Sequence, residues 1–182
     1  MVVWRMITLV GLLVASLLSA PGSSEAQTLG RAELLSASRD IMSAARYVAL
    51  ATVDEEGRPA VRAMDAAAPD DDMTVWLATN PRSRKVSQIR AEPRVALYYV
   101  DADGPGYVTL VGTARLIDEP AQKARHWKES WTPFYTDRDE SVLLIQVTPL
   151  WLEVVSVPHG VNGDPETWRA DIVEFVPGSS GR

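Results

Sequence analysis

The stretch Trp76-Leu77-Ala78-Thr79-Asn80-Pro81-Arg82-Ser83-Arg84-Lys85 joins an apolar run to the clearest helix start in the chain. Asn is a favoured N-cap, and Pro is pre-organised for the first helical position. The residue before Pro is also biased away from helical geometry, as a cap should be. The pattern predicts a strand over Met73 to Ala78 and a helix from Pro81 to about Glu92, stopped by Pro93. Arg82, Ser83, Arg84 and Lys85 fall within its first turn or so. Cations there oppose the helix dipole by about 0.3–1 kcal/mol each. Free N–H groups, a hydroxyl and cations at one helix start suit a bound phosphate. A solvated basic turn is the alternative.

Working outward, Leu34, Leu35, Ile41, Met42 and Ala45 recur at helical spacing, which predicts an amphipathic helix over Leu29 to Arg46. Tyr47 to Val53 reads as a strand. Asp54-Glu55-Glu56-Gly57 reads as a turn with Gly57 at positive φ, and Ala60 to Ala67 as the return strand. Pro69-Asp70-Asp71-Asp72 is a second turn, solvated rather than a cation loop. Beyond the helix come a strand over Arg94 to Asp101 and a long strand over Tyr107 to Ile117. A helix is expected from Glu119 to Trp131, then a strand from Ser141 to Val157 with Pro149 at a bulge, bend or edge. The short connections demand mainly antiparallel pairing. The expected fold is α+β and mainly β: a six-stranded antiparallel split barrel with flanking helices.

Arg62 stands mid-strand among Ala60, Val61, Ala63 and Met64. A charge there either faces solvent or meets a partner, and one strand pairing would bring it near the basic helix start. His126 and His159 are too far apart for a short-spacing metal motif, so no metal site is expected. Trp76, Trp127, Trp131, Trp151 and Trp168 are read as core or interface residues rather than a platform for bases. There is no Walker loop, nucleophile elbow or dinucleotide fingerprint.

The 182 residues carry a net charge of −6 and no cysteine, which excludes disulfides and thiolate chemistry and argues against broad nucleic-acid binding. Arg5, the apolar run Met6 to Leu18 and the small residues around Ser24-Glu25-Ala26 read as a secretory signal peptide over residues 1–26. That run is shorter than the ~20 residues of a membrane span. Residues 27–182 are then one exported domain, periplasmic or secreted, without a membrane anchor.

The order of these parts resembles the pyridoxamine 5′-phosphate oxidase-like split barrels, nearest the general stress protein 26 type. Ala49-Leu50-Ala51-Thr52-Val53 with Gly57-Arg58-Pro59 is similar to the family's first hairpin. Arg62-Ala63-Met64 is similar to its Arg-x-Met strand, and Trp76 to Thr79 leading into Ser83-Arg84-Lys85 to its phosphate-binding segment. Val95 to Tyr99 and Tyr107 to Ala114 resemble its central strands, and Trp168-Arg169 with Val173-Glu174-Phe175 its tail. The resemblance covers roughly Leu34 to Phe175. It implies a homodimer with FMN at each end of the subunit interface. Arg62, Ser83 and Lys85, with Arg84 beside them, would hold the phosphate. Ala63, Met64, Ala78 and Thr79 would line the isoalloxazine.

Two departures bear on activity. Ala66-Ala67 stands where true pyridoxamine phosphate oxidases carry a Lys, and their terminal Arg-x-His segment has no counterpart in Phe175 to Arg182. Vitamin B6 oxidation is therefore not expected. The leading expectation is a flavin-dependent oxidoreductase on an unknown small molecule, with no side chain singled out as acid or base. The alternatives are a non-catalytic flavin carrier or stress protein, a haem or deazaflavin binder using His126, His159 or Tyr98, and a dimeric interaction module.

Overall fold

The computed structural model describes residues 29–175; the expected signal segment, residues 1–26, lies outside them. The elements are α1 (Arg31–Ala44), β1 (Val48–Val53), β2 (Pro59–Met64), β3 (Val75–Thr79), α2 (Arg84–Ala91), β4 (Arg94–Val100), β5 (Gly106–Ile117), α3 (Pro120–Arg125), a 3-10 turn (Glu129–Trp131), β6 (Leu143–Ser156) and β7 (Asp171–Glu174). Every strand pairing is antiparallel, in the order β2-β1-β4-β5-β6-β3, with β7 also on β6. A bridge between Ala66 and Leu77 joins the end of β2 to β3 and closes the sheet on itself. The architecture is the expected antiparallel barrel with flanking helices.

The alternation of side chains explains the core. Leu50, Leu97, Leu110, Leu152 and Val154 point inward from four adjacent strands and are fully buried. α1 covers one opening with Leu34, Ala37, Ile41 and Met42. β3 is buried along its whole length because both its faces are covered. Leu77 faces the barrel, whereas Trp76 and Ala78 face a second, smaller cluster with Ile117, Trp131, Val142 and Leu144.

Three details differ from the sequence expectation. There are seven strands, not six. β3 pairs β6 only over Leu143 to Val147, so the distal half of β6 has an open edge that β7 fills. The second helix begins at Arg84, not Pro81. Asn80 Oδ1 accepts from the Arg82 N–H (2.8 Å), which folds Asn80 to Ser83 into a turn and leaves Ser83 as the N-cap. The third helix is broken after Arg125. Lys128 is extended there, held by Asp65 and the Ala66 carbonyl, while Trp131 Nε1 donates to the Asp65 carbonyl at 3.1 Å. Tertiary bonds at three points outweigh the helix propensity of Glu119 to Trp131. Pro149 does flank a bulge: Val111 pairs Trp151 and Gly112 pairs Pro149, so Leu150 is skipped. Gly57 has the expected positive φ, at 77°.

Candidate functional site

β1 and β2 place Leu50 opposite Arg62, and α2 packs beneath them. The Arg62 guanidinium is half-buried. It donates to Thr52 Oγ1 (2.7 Å), the Leu50 carbonyl (3.3 Å) and Gln88 Oε1 (2.8 Å). All three acceptors are neutral. Thr52 also donates to Gln88 Oε1 at 2.7 Å, so the amide oxygen takes two donors. Gln88 lies one turn after Arg84 and Lys85, and that helical spacing could have marked it. Thr52 carried no such signal.

At the start of α2, Thr79, Ser83 and Lys85 form one group. Thr79 and Ser83 share a hydroxyl hydrogen bond of 2.9 Å, and Lys85 Nζ donates to Thr79 Oγ1 at 3.2 Å. The Ser83 side chain therefore does not cap the helix. Burial lowers the pKa of Arg62, and the nearby charge of Arg84 lowers it further. Burial likewise lowers that of Lys85, with Arg62 adding to the effect. Among the described residues none of Arg62, Arg84 and Lys85 has an ion-pair partner. Two half-buried cations, Arg62 and Lys85, repelling each other beside the exposed Arg84 and without a carboxylate, are stabilised by an anion.

A groove of about 320 Å³ opens beside them. Ala63 and Met64 of β2, Ala78 and Thr79 of β3, and Lys85 of α2 all line it. The structure thus brings the expected ring-lining residues and Lys85 to one concavity; Ser83 is bonded to the lining residue Thr79, while Arg62 and Arg84 adjoin the lining residues Ala63 and Lys85 along the chain and do not themselves line it. Sequence reasoning missed its aromatic wall. Tyr47 precedes β1, and Trp131, Phe134 and Tyr135 come from the segment between α3 and β6. That segment is pinned by Tyr135 Oη donating to the Ala78 carbonyl (3.2 Å) and by Lys128 and Ser130 on Asp65. A larger cavity of about 630 Å³ lies elsewhere, under α3. The smaller groove is the better cofactor site because it holds the expected ring-lining residues together with the half-buried Lys85.

The sequence matches the model of the pyridoxamine 5′-phosphate oxidase family over residues 11–156. This chain belongs to the pyridoxamine 5′-phosphate oxidase family. Solved structures agree on the fold of this family member. A protein related to general stress protein 26 from Clostridium acetobutylicum is 20% identical with a TM-score of 0.66, over 81% of this chain and 97% of that one. General stress protein 26 from Bacillus anthracis is 16% identical with a TM-score of 0.61, over 79% and 97%. A pyridoxamine 5′-phosphate oxidase-related, FMN-binding protein from Nostoc punctiforme is 19% identical with a TM-score of 0.53, over 82% and 99%. No curated protein matches the chain.

The other expected residues fall apart in space. His126 stacks on Trp76, with ring centroids 3.7 Å apart. His159 Nδ1 meets the buried Ser156 hydroxyl at 2.8 Å, and Tyr98 stacks on Tyr107 on the outside of the sheet. They face three different neighbourhoods and do not converge on one pocket. Trp168, expected in a core or interface, is 90% exposed with φ of 59°, so it lies outside the core of the chain.

Proposed function

We propose that this family member is an exported FMN-binding homodimer that acts as a flavin-dependent oxidoreductase on a small molecule. The observation that carries this reading is the half-buried Lys85 in the β2–β3 groove, together with the ring-lining residues. Arg62, Ser83, Arg84 and Lys85 would hold the phosphate, and Ala63, Met64, Ala78 and Thr79 would lie along the ring. Bound flavin supplies hydride chemistry; the protein's part is to seat it and exclude water.

The outer face of the sheet supports pairing of two copies. In register across six strands it carries the rows Ala63-Ala49-Tyr98-Thr109-Glu153-Ile172 and Val61-Ala51-Ala96-Val111-Trp151-Glu174. Val61, Tyr98, Val100 and Ile172 are exposed on it, an extent of apolar surface that marks an interface.

The test is the visible spectrum of residues 27–182 purified after incubation with FMN, beside the R62A/K85A variant. Two lost charge-assisted contacts should weaken flavin binding by at least about 100-fold. Wild-type protein without flavin would end this reading. A non-catalytic carrier is the second reading, favoured by one observation. The proton-bearing groups of the groove are already engaged: Asp65 by Lys128 and Ser130, Tyr135 by Ala78, Lys85 by Thr79. Bound flavin that no donor reduces would select it.

A further inference from the structure

The outer face of the sheet, on which the proposed homodimer rests, is divided by side-chain size. Over β2, β1 and β4 its two rows carry Ala63, Ala49, Val61, Ala51 and Ala96. Over β6 and β7 they carry Trp151, Glu153, Ile172 and Glu174. Two identical sheets that meet face to face share a two-fold axis lying between them. An axis across the strands sets β1 and β2 against their own copies, small on small, and leaves that half of the contact unfilled. An axis along the strands sets the large half of one copy on the small half of the other. Row by row, the partner subunit's Trp151 then meets Ala51, and the partner subunit's Ile172 meets Ala63. Interface cores pack as densely as protein interiors, so the face selects the second axis.

That axis keeps the strand direction, so like ends of the two faces meet. The flavin groove lies at the end of the face that carries Tyr47 and Met64, off its β2 edge. Trp168 lies at the same end, off the β7 edge, in the segment that leads from β6 into Asp171. It is 90% exposed at a φ of 59°, which residues bearing a side chain rarely adopt. Its turn is closely bonded. Asp164 Oδ1 accepts from the N–H groups of Glu166 (2.9 Å) and Thr167 (2.7 Å) and from the Thr167 hydroxyl (2.8 Å). The Trp168 N–H donates to the Asp164 carbonyl, and the Asp164 N–H to the Arg169 carbonyl. A Cβ at Gly163 would collide with that same Arg169 carbonyl. A fixed turn thus holds a large apolar ring in solvent, and Trp is among the side chains most enriched as interface anchors. At the groove, Tyr47 and Phe134 are exposed too, so its wall presents two open aromatic surfaces.

We propose that the indole of the partner subunit's Trp168 closes the flavin groove of each chain, on the side of Tyr47 and Phe134, so that each flavin site is built from two copies. This rests on the flavin-binding homodimer of the proposed function and adds the residue that the second copy contributes.

The test is complementation in mixed dimers. W168A and R62A/K85A chains are co-expressed with different affinity tags, the mixed dimer is isolated through both tags, and FMN is titrated by fluorescence quenching. Each variant alone should bind FMN about tenfold or more weakly than wild type, with an unchanged circular dichroism spectrum. W168F, which keeps a ring, should bind more tightly than W168A. In the mixed dimer one site carries both lesions. The other joins Arg62 and Lys85 of the W168A chain to Trp168 of the R62A/K85A chain, and it should bind FMN with wild-type affinity. A Trp168 that acts within its own chain leaves both sites impaired, and a mixed dimer without a wild-type site overturns the proposal. So does a W168A protein that binds FMN as wild type does, or a wild-type monomer that binds it. Wild-type protein that binds no FMN is a different result, which removes the flavin reading itself and this proposal with it.

Discussion

Arg62 is charged, half-buried and surrounded by neutral acceptors, and that combination gives the residue its meaning. Thr52 and Gln88 hold its guanidinium by neutral hydrogen bonds, leaving the charge available. Replacing Gln88 by Leu removes the acceptor shared by Arg62 and Thr52. One lost hydrogen bond to a charged group is worth about 1.5–3 kcal/mol. FMN affinity of Q88L, read by fluorescence quenching, should therefore fall by roughly tenfold or more while the fold persists. A second residue-scale expectation concerns Gly112. A Cβ there would collide with the Thr148 carbonyl beside the β5–β6 bulge. G112A should lower stability by about 1–3 kcal/mol in a urea melt. The sequence disclosed Arg62 and the Ser83 to Lys85 turn by residue type and position. Thr52 was not legible, because nothing in a β-branched strand residue says which neighbour its hydroxyl will meet.

At the scale of elements, the segment after α3 decides what the groove looks like, and one side chain anchors it. Lys123 is fully buried. It pairs with Asp118 at 2.7 Å and donates to the Asp139 carbonyl at 2.6 Å. Removing the acid strands a buried ammonium, whereas an apolar isostere removes the charge itself. D118N should therefore destabilise more than K123M, by about 1–3 kcal/mol because Asp118 is largely exposed. K123M should still raise hydrogen exchange over residues 126–142. A second junction ties the end of β4 to β6 through Asp101, whose Oδ2 accepts from the Ser156 hydroxyl at 2.6 Å. That bond, before others, holds the Asp101 carboxyl below its ordinary value of 3.8. A depressed folded-state pKa contributes stability at neutral pH that is lost as pH falls through it. D101N should lower stability at pH 7 and show a shallower decline than wild type below about pH 4, measured by denaturant melts at each pH. The elements themselves were largely visible from alternation, turn residues and caps. The start of α2 and the end of α3 were not, since the Asn80 side chain closes a turn and Lys128 is drawn out to Asp65.

For the whole molecule, the apolar outer face of the sheet is the feature left to explain. If two copies pair through it, Y98E should convert a dimer to a monomer in light scattering while circular dichroism is unchanged. A wild-type monomer would remove the homodimer from the proposed function. Antiparallel connectivity, the barrel class and the resemblance to the family were all contained in local patterns: short turns between β-rich runs, a cap before a basic helix start, an Arg within a small-residue strand. These are near-neighbour properties, and near neighbours along a chain are known from its order. The seventh strand, the broken third helix, the aromatic wall of the groove and the cavity under α3 depended on the tertiary structure. Each arises where segments tens of residues apart compete for the same backbone edge, carbonyl or apolar surface. The outcome of that competition is set by geometry that no local stretch contains.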